Sequence, residues 1–479
     1  MRPRPSRLRP LVLLLLWCAL AAAGCGGGEE KPDDLAARRE AEARRLASLG
    51  YVNQVVVKEE NRGLRGVVRH DRDRAVPGLN LYASLTSCRA VLRDMDGAIV
   101  HTWSAEGVFD DRVTFPLGPE VIELANGPFS PGWTVAELDG DDLLAIESHV
   151  GLLRLDRAGH VKFALANQAH HDVAVDPDGS IWTLTAVPRR IDTGGEDVLI
   201  VDDVVQHLDR DGRVLAEHSL FRILSRDPGV RPVLAEGMRY ARHWFRNLDQ
   251  WRDTRMEQDP VAADAFRAMF DLYAEVFVRG ERELRPSHQL FVLYLTPADV
   301  LHTNALQVLP AHPAGLWPAG AMLVSVRNLN LVAVLDLAAE KVLWTWGPGE
   351  LNAQHQPSIL PDGHLLVFDN GTARGYTRVL EVDPATGAIV WNWGEAADQR
   401  FWCSAMGGVE GLPGGNVLIT DSSAGRAFEV TRDGAIVWDF FNPEQGHNPF
   451  GAAGKAETIE AIYRLGRVPV SAFPPATKP

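Results

Sequence analysis

The chain has few cysteines, a deficit of positive charge and no apolar run long enough to cross a bilayer, and each shortage narrows what it can be. Its 479 residues include four cysteines, of which Cys18 and Cys25 lie near the N-terminus and only Cys88 and Cys403 belong to the body of the chain. One disulfide between those two is the most an oxidising compartment would allow, and two buried free thiols are the other reading. The longest apolar run, residues 11–23, is shorter than the roughly 20 residues a membrane-spanning helix needs. Acids outnumber bases 63 to 48, for a formal net charge of −15. So acidic a chain is repelled by phosphate backbones, and no nucleic-acid partner is expected.

The N-terminus carries a targeting pattern. Arg2, Arg4, Arg7 and Arg9 precede the apolar run, which ends in small residues. Ala22-Ala23-Gly24-Cys25 resembles a bacterial lipobox, so residues 1–24 read as a lipoprotein-type signal peptide and Cys25 as the lipidated first residue of the mature chain. An ordinary secretory leader is the alternative, and either one exports the protein, to the periplasm or the cell surface. Cleavage removes four arginines and no acids, moving the formal charge from −15 to −19. Residues 25–33 then form a flexible tether. Residues 34–50, opened by Asp34 and closed by Gly50, form one helix.

Beyond the tether the sequence repeats. Residues 336–344, 383–391 and 431–438 each place a turn-forming segment before a Val-rich strand ending in Trp, and Trp344, Trp391 and Trp438 are 47 residues apart in both steps. The pattern recurs around Gly97 with Trp103, and around Gly159 and Gly212 without Trp, which makes six hairpins. Tight turns at Asp178-Gly179, Asp362-Gly363 and Gly414-Gly415, each followed by an alternating apolar strand, supply the other half of each unit. Four strands per unit at a period of about 40–50 residues is a propeller blade. The fold expected is all-β, a six-bladed β-propeller over residues 76–470, preceded by the N-terminal helix. A C-terminal strand near residues 461–465 would pair with the first blade and close the ring.

One region breaks the β pattern. Within residues 238–283, Phe266, Met269, Phe270, Tyr273, Val276 and Phe277 recur at helical spacing, a helical insertion between the third and fourth blades. It is either a lid over the channel or a packing element on the rim.

The chemistry-bearing residues fall at strand starts. His171, His302 and His355 each open a unit of the repeat, in the third, fourth and fifth blades, so inner strands could bring three imidazoles together at one end of the channel. Asn304 lies two residues beyond His302 on the same strand face, and Arg327 ends that blade's next strand. Such a set makes a pocket for a tetrahedral anion. Asp172 reads as satisfying backbone at the strand start, and Asp369-Asn370-Gly371 as a turn with a left-handed Asn. His70, His101, His160, His312, His364 and His447 read as solvated.

Across nearly the whole propeller the chain resembles the bacterial arylsulfate sulfotransferases. The resemblance is carried by His302-Thr303-Asn304, Ser325-Val326-Arg327, His355, Phe368-Asp369-Asn370-Gly371 and residues 425–430. It implies transfer of a sulfuryl group from an aryl sulfate to a phenol, without a nucleotide donor, cofactor or metal. It further implies a transiently sulfated His355, with His171, His302, Asn304 and Arg327 binding substrate and assisting catalysis. Two other readings stay open: a propeller whose channel histidines hold a metal for oxygenase or lyase chemistry, and a lipid-anchored scaffold without chemistry.

Overall fold

The computed structural model describes residues 54–109, 113–117, 120–124, 132–193, 197–246, 273–280, 293, 296–445 and 458–474. The signal peptide, Cys25, the tether, the helix over 34–50 and His447 lie outside them. Six antiparallel sheets stand in a ring, the expected six-bladed β-propeller. Five have four strands and one has five. Blades 2 to 5 are each built from consecutive strands running from the channel outward, and their innermost strands are Trp133–Asp139, Ala169–Val175, Thr303–Leu309 and His355–Ile359.

Both ends of the chain close the ring. Leu465–Val468 becomes the innermost strand of blade 1, Leu465 opposite Tyr82 and Val468 opposite Leu79. At the other end of the chain Gly66–His70 adds a fifth, outermost strand to blade 6, pairing with Ile436–Phe441. The first closure falls within a few residues of the expected one; the second has no counterpart in the repeat and was not foreseen. The first completes blade 1 on its inner side and the second covers the outer edge of blade 6.

The core lies at the seams rather than on the axis. Each adjoining pair of blades shares its own apolar cluster, such as Leu323, Val332 and Val334 of blade 4 against Leu365, Val367 and Leu380 of blade 5. The repeated tryptophans staple these seams. Trp344 donates its indole N–H to Pro384 O at 2.9 Å, Trp391 to Arg432 O at 3.1 Å and Trp438 to Met95 O at 2.9 Å, each on the hairpin turn of the next blade. In blade 1 the same reach is made by His101 to Arg157 O, and in blade 2 by Arg154 to Arg210 O.

The helical insertion starts earlier than its sequence pattern suggested, with helices Leu220–Arg226 and Arg231–Arg246. Ser219 caps the first, accepting from the Arg222 amide. Leu220, Ile223, Leu224, Leu234 and Met238 pack against Leu184 and Ile200 of blade 3 and Val324 and Leu331 of blade 4. This part is a packing element on the rim; Phe266, Met269 and Phe270, on which a lid would depend, lie outside the described residues. Cys88 and Cys403 are both buried and form no disulfide with each other. Among the described residues no helix is long and apolar enough to cross a membrane.

Candidate active site

The innermost strands of blades 3, 4 and 5 all begin at one end of the channel, and none begins regularly. Each has a register shift in its first residues, between His170 and Val173, Thr303 and Ala305, and His355 and Ser358. His171, His302 and Gln356 adopt positive φ of 58°, 49° and 33°. Such backbone is uncommon for non-glycine residues, and bulges at strand ends redirect side chains. One consequence corrects the expected equivalence of the three histidines. The last residue paired before the shift is His170 in blade 3, Thr303 in blade 4 and His355 in blade 5, so His171 lies inside its bulge, His302 just ahead of the first paired residue of its strand, and His355 within the pairing itself. Asn304 also sits in a bulge, not on a regular strand face.

The five expected residues nevertheless come to the same channel end. His171 and His302 meet edge to face with ring centroids 4.9 Å apart. The Asn304 amide donates to Gln354 O at 2.9 Å, bridging blade 4 to the residue before His355. The Arg327 amide donates to His302 O, and its guanidinium donates to Asn328 Oδ1 at 2.9 Å.

His355 is buried and held in one tautomer. Its Nδ1 lies 2.7 Å from Asn370 Oδ1 and 3.2 Å from Ala353 O. Asn370 is itself fixed, because its amide nitrogen donates to Cys403 O and Met406 O, both at 2.9 Å. With two acceptors facing it, Nδ1 must carry the hydrogen, and Nε2 of the neutral ring keeps its lone pair. Burial, and next the Arg327 charge, push His355 down to about 3. The left-handed residue of this turn is Gly371, φ +67°, where a Cβ would stand 2.1 Å from Tyr376 O; Asn370 serves instead to orient the imidazole.

His302 Nδ1 lies 2.5 Å from Asp299 Oδ2. His171 Nδ1 lies 2.7 Å from His170 Nδ1, and His149 stacks on His170 at 4.9 Å from the turn of blade 2. Burial pushes His149 and His171 well below the ordinary histidine value and His170 down to about 3, so all three rings are neutral. Asp203, fully buried, receives the Thr303 amide at 2.6 Å; burial and the nearby Asp299 carboxylate push its carboxyl well above the usual range. The sequence pattern gave no role to His149, Asp203 and Asp299, because they come from turns, loops and a third strand with no fixed place in the repeat; His170 stands beside His171 on the innermost strand, and Asn370 was read only as part of a turn.

Deeper in the channel Arg464 pairs with Asp172 at 2.8 Å. Asp172 also accepts from the Val173 and Leu306 amides, so it satisfies backbone as expected and ties blade 3 to blade 4 as well. Of the histidines read as solvated, His312 is buried against Trp317. Among the described residues, one group brings three metal-ligand atoms within 4.8 Å of one another: Asp362, His364 and Glu381. It lies past the far end of the strand that His355 opens, and Glu381 is engaged there by His364 and Arg432. The channel histidines form no such group.

The site offers a neutral nucleophilic imidazole, neighbouring imidazoles, an amide and a guanidinium. No curated protein matches this chain. Among solved structures, a protein of unknown function from Bacteroides caccae is similar at 10% identity, over 81% of this chain and 99% of that one, with a TM-score of 0.41. A streptogramin B lyase matches at 10% identity over 82% and 87%, TM-score 0.39. Virginiamycin B lyase from Staphylococcus aureus matches at 9% over 81% and 87%, TM-score 0.37. Likeness this distant carries nothing about activity. Two family models, both described as arylsulfotransferase (ASST), match residues 86–352 and 278–443. By these matches, which span most of the propeller, the chain belongs to the arylsulfotransferase family.

Proposed function

We propose that this protein transfers a sulfuryl group from an aryl sulfate to a phenol through N-sulfated His355, without a nucleotide donor. The observation that carries the reading is the tautomer of His355. Asn370 holds the hydrogen on Nδ1 and leaves the Nε2 lone pair for sulfur.

In the first half-reaction Nε2 forms an N–S bond as the S–O bond to the aryl group breaks, and the electron pair leaves on the phenolate oxygen. Nδ1 keeps its hydrogen, because an amide oxygen cannot take it, so the sulfated ring is an imidazolium. A positively charged ring is a good leaving group, and the acceptor phenol oxygen displaces it in the second half-reaction. The negative charge spread over the sulfuryl oxygens needs preorganised donors, and in this reading Arg327, Asn304 and the ring nitrogens of His171 and His302 supply them.

The first test is the full-length protein incubated with 4-nitrophenyl sulfate, with and without phenol, beside the His355→Ala variant and a metal assay. Phenol-dependent nitrophenolate release that is lost in the variant is expected. Release that persists in the variant, or activity that tracks a stoichiometric metal, would overturn the assignment.

The N-terminal pattern supports export and acylation of Cys25, which would hold the propeller at a membrane surface without a spanning helix.

A further inference from the structure

Two buried polar atoms behind the site face each other without a hydrogen-bond partner among the described residues: His170 Nε2 and Asp203 Oδ1, 3.5 Å apart. Both side chains are fully buried. An unpaired buried nitrogen and oxygen cost stability, so their alignment calls for a role. At 3.5 Å the pair is looser than a formed hydrogen bond, as such contacts often are before substrate binds. On its other side His170 touches His171, Nδ1 to Nδ1 at 2.7 Å. Carboxyl, imidazole and imidazole thus form one line from the interior to the channel.

We propose that Asp203 and His170 form a proton relay that charges His171 to protonate the departing phenolate and stores the proton deficit until the acceptor phenol returns it. This rests on the sulfuryl-transfer reading above.

The neighbours of Asp203 suit that role. Asp202 is committed to Arg189 and Ser219, each at 2.7 Å, and Asp299 to His302. Asp203 has no such cation among the described residues, only the Thr303 amide, and two carboxylates stand nearby. Burial and those carboxylates favour its neutral acid, the form from which the relay starts. A carboxyl hydrogen on Oδ1 then points to the lone pair of His170 Nε2, the His170 Nδ1 hydrogen points to His171 Nδ1, and the His171 hydrogen lies on Nε2.

When the S–O bond breaks, His171 Nε2 gives its proton to the phenolate oxygen. His170 Nδ1 replaces it at His171 Nδ1, and the Asp203 proton moves to His170 Nε2, leaving a carboxylate. Both imidazoles end neutral in their other tautomers, still hydrogen-bonded. The carboxylate balances the imidazolium formed at His355. In the second half-reaction the acceptor O–H proton passes to His171 Nε2 and each step reverses.

Leaving-group dependence tests this in the full-length protein. 4-Nitrophenolate departs without help, whereas phenolate needs a proton. Asp203→Asn keeps an acceptor for Thr303 and a donor for His170 but has no proton to release. Its loss of first half-reaction rate with phenyl sulfate should exceed its loss with 4-nitrophenyl sulfate by about 10²-fold or more. His170→Gln should give the same split. In the unaltered protein, rates in H2O–D2O mixtures should curve with deuterium fraction for phenyl sulfate, since several protons move together. Equal losses with both donors, or a linear dependence, overturn the relay. If the unaltered protein desulfates neither donor, the sulfuryl-transfer reading fails and the relay falls with it.

Discussion

The charge state of His355 is set by what surrounds it. A surface histidine would be partly protonated at mildly acid pH and lose its lone pair, but burial beside Arg327 pushes this one down to about 3. A lowered value means that the neutral, nucleophilic form persists as pH falls. The burst of nitrophenolate from 4-nitrophenyl sulfate should therefore be nearly flat from pH 8 down to about 5, as stopped-flow absorbance would show. Asn370 controls which nitrogen is available. Asn370→Ala frees the ring to turn and to place its hydrogen on either nitrogen, and the burst rate should fall about 10²-fold. It also leaves Met406 O without its donor, at about 1–3 kcal/mol in stability, while Cys403 O keeps the Thr377 hydroxyl at 3.1 Å. Urea unfolding of the same variant separates that cost from the kinetic one. In the sequence Asn370 stands in an Asp-Asn-Gly turn, and local pattern assigns it to the turn. Only the folded chain places it against His355, because the contact joins residues from different strands.

Among the elements, the strand starts and the outer hairpins were legible to different degrees. The hairpins were legible because a tight turn and an alternating strand are local, and their 47-residue spacing repeats. The purpose of their tryptophans was not, since the hydrogen bond of each lands on the next blade. Trp438 spans the seam where blade 6 meets blade 1 and is buried, so its lost partner cannot be replaced by water. Trp438→Phe should cost about 1–3 kcal/mol. Trp391→Phe, at a more exposed seam, should cost within about 0.5 kcal/mol. Chemical denaturation of the two variants side by side checks the ranking. Strand starts were harder still. Period-two alternation places Asn304 on the face of His302 and Asp172 opposite His171, but the register shifts in blades 3 to 5 suspend that rule where the functional side chains lie.

At the scale of the whole molecule, ring closure joins distant parts of the chain. Leu465–Val468 supplies the inner strand of blade 1, and Arg464 just before it reaches Asp172 of blade 3. Ending the chain at Tyr463 should open blade 1 along its inner edge and remove the Asp172 counter-ion together. Such a truncation should lose the cooperative thermal transition followed by circular dichroism. A chain beginning at residue 64, which keeps Gly66–His70, should retain it.

The sequence by itself determined the blade count, the four-strand unit, C-terminal closure and the five residues gathered at one channel end, because strand periodicity and turn chemistry are local and the repeat multiplies their signal. Tertiary structure decided the rest. The second closing strand, the seam partners of the tryptophans, the tautomer of His355 and the line from His171 through His170 to Asp203 all depend on contacts between blades. Such contacts follow from how twisted sheets pack around an axis, which no stretch of the chain encodes alone.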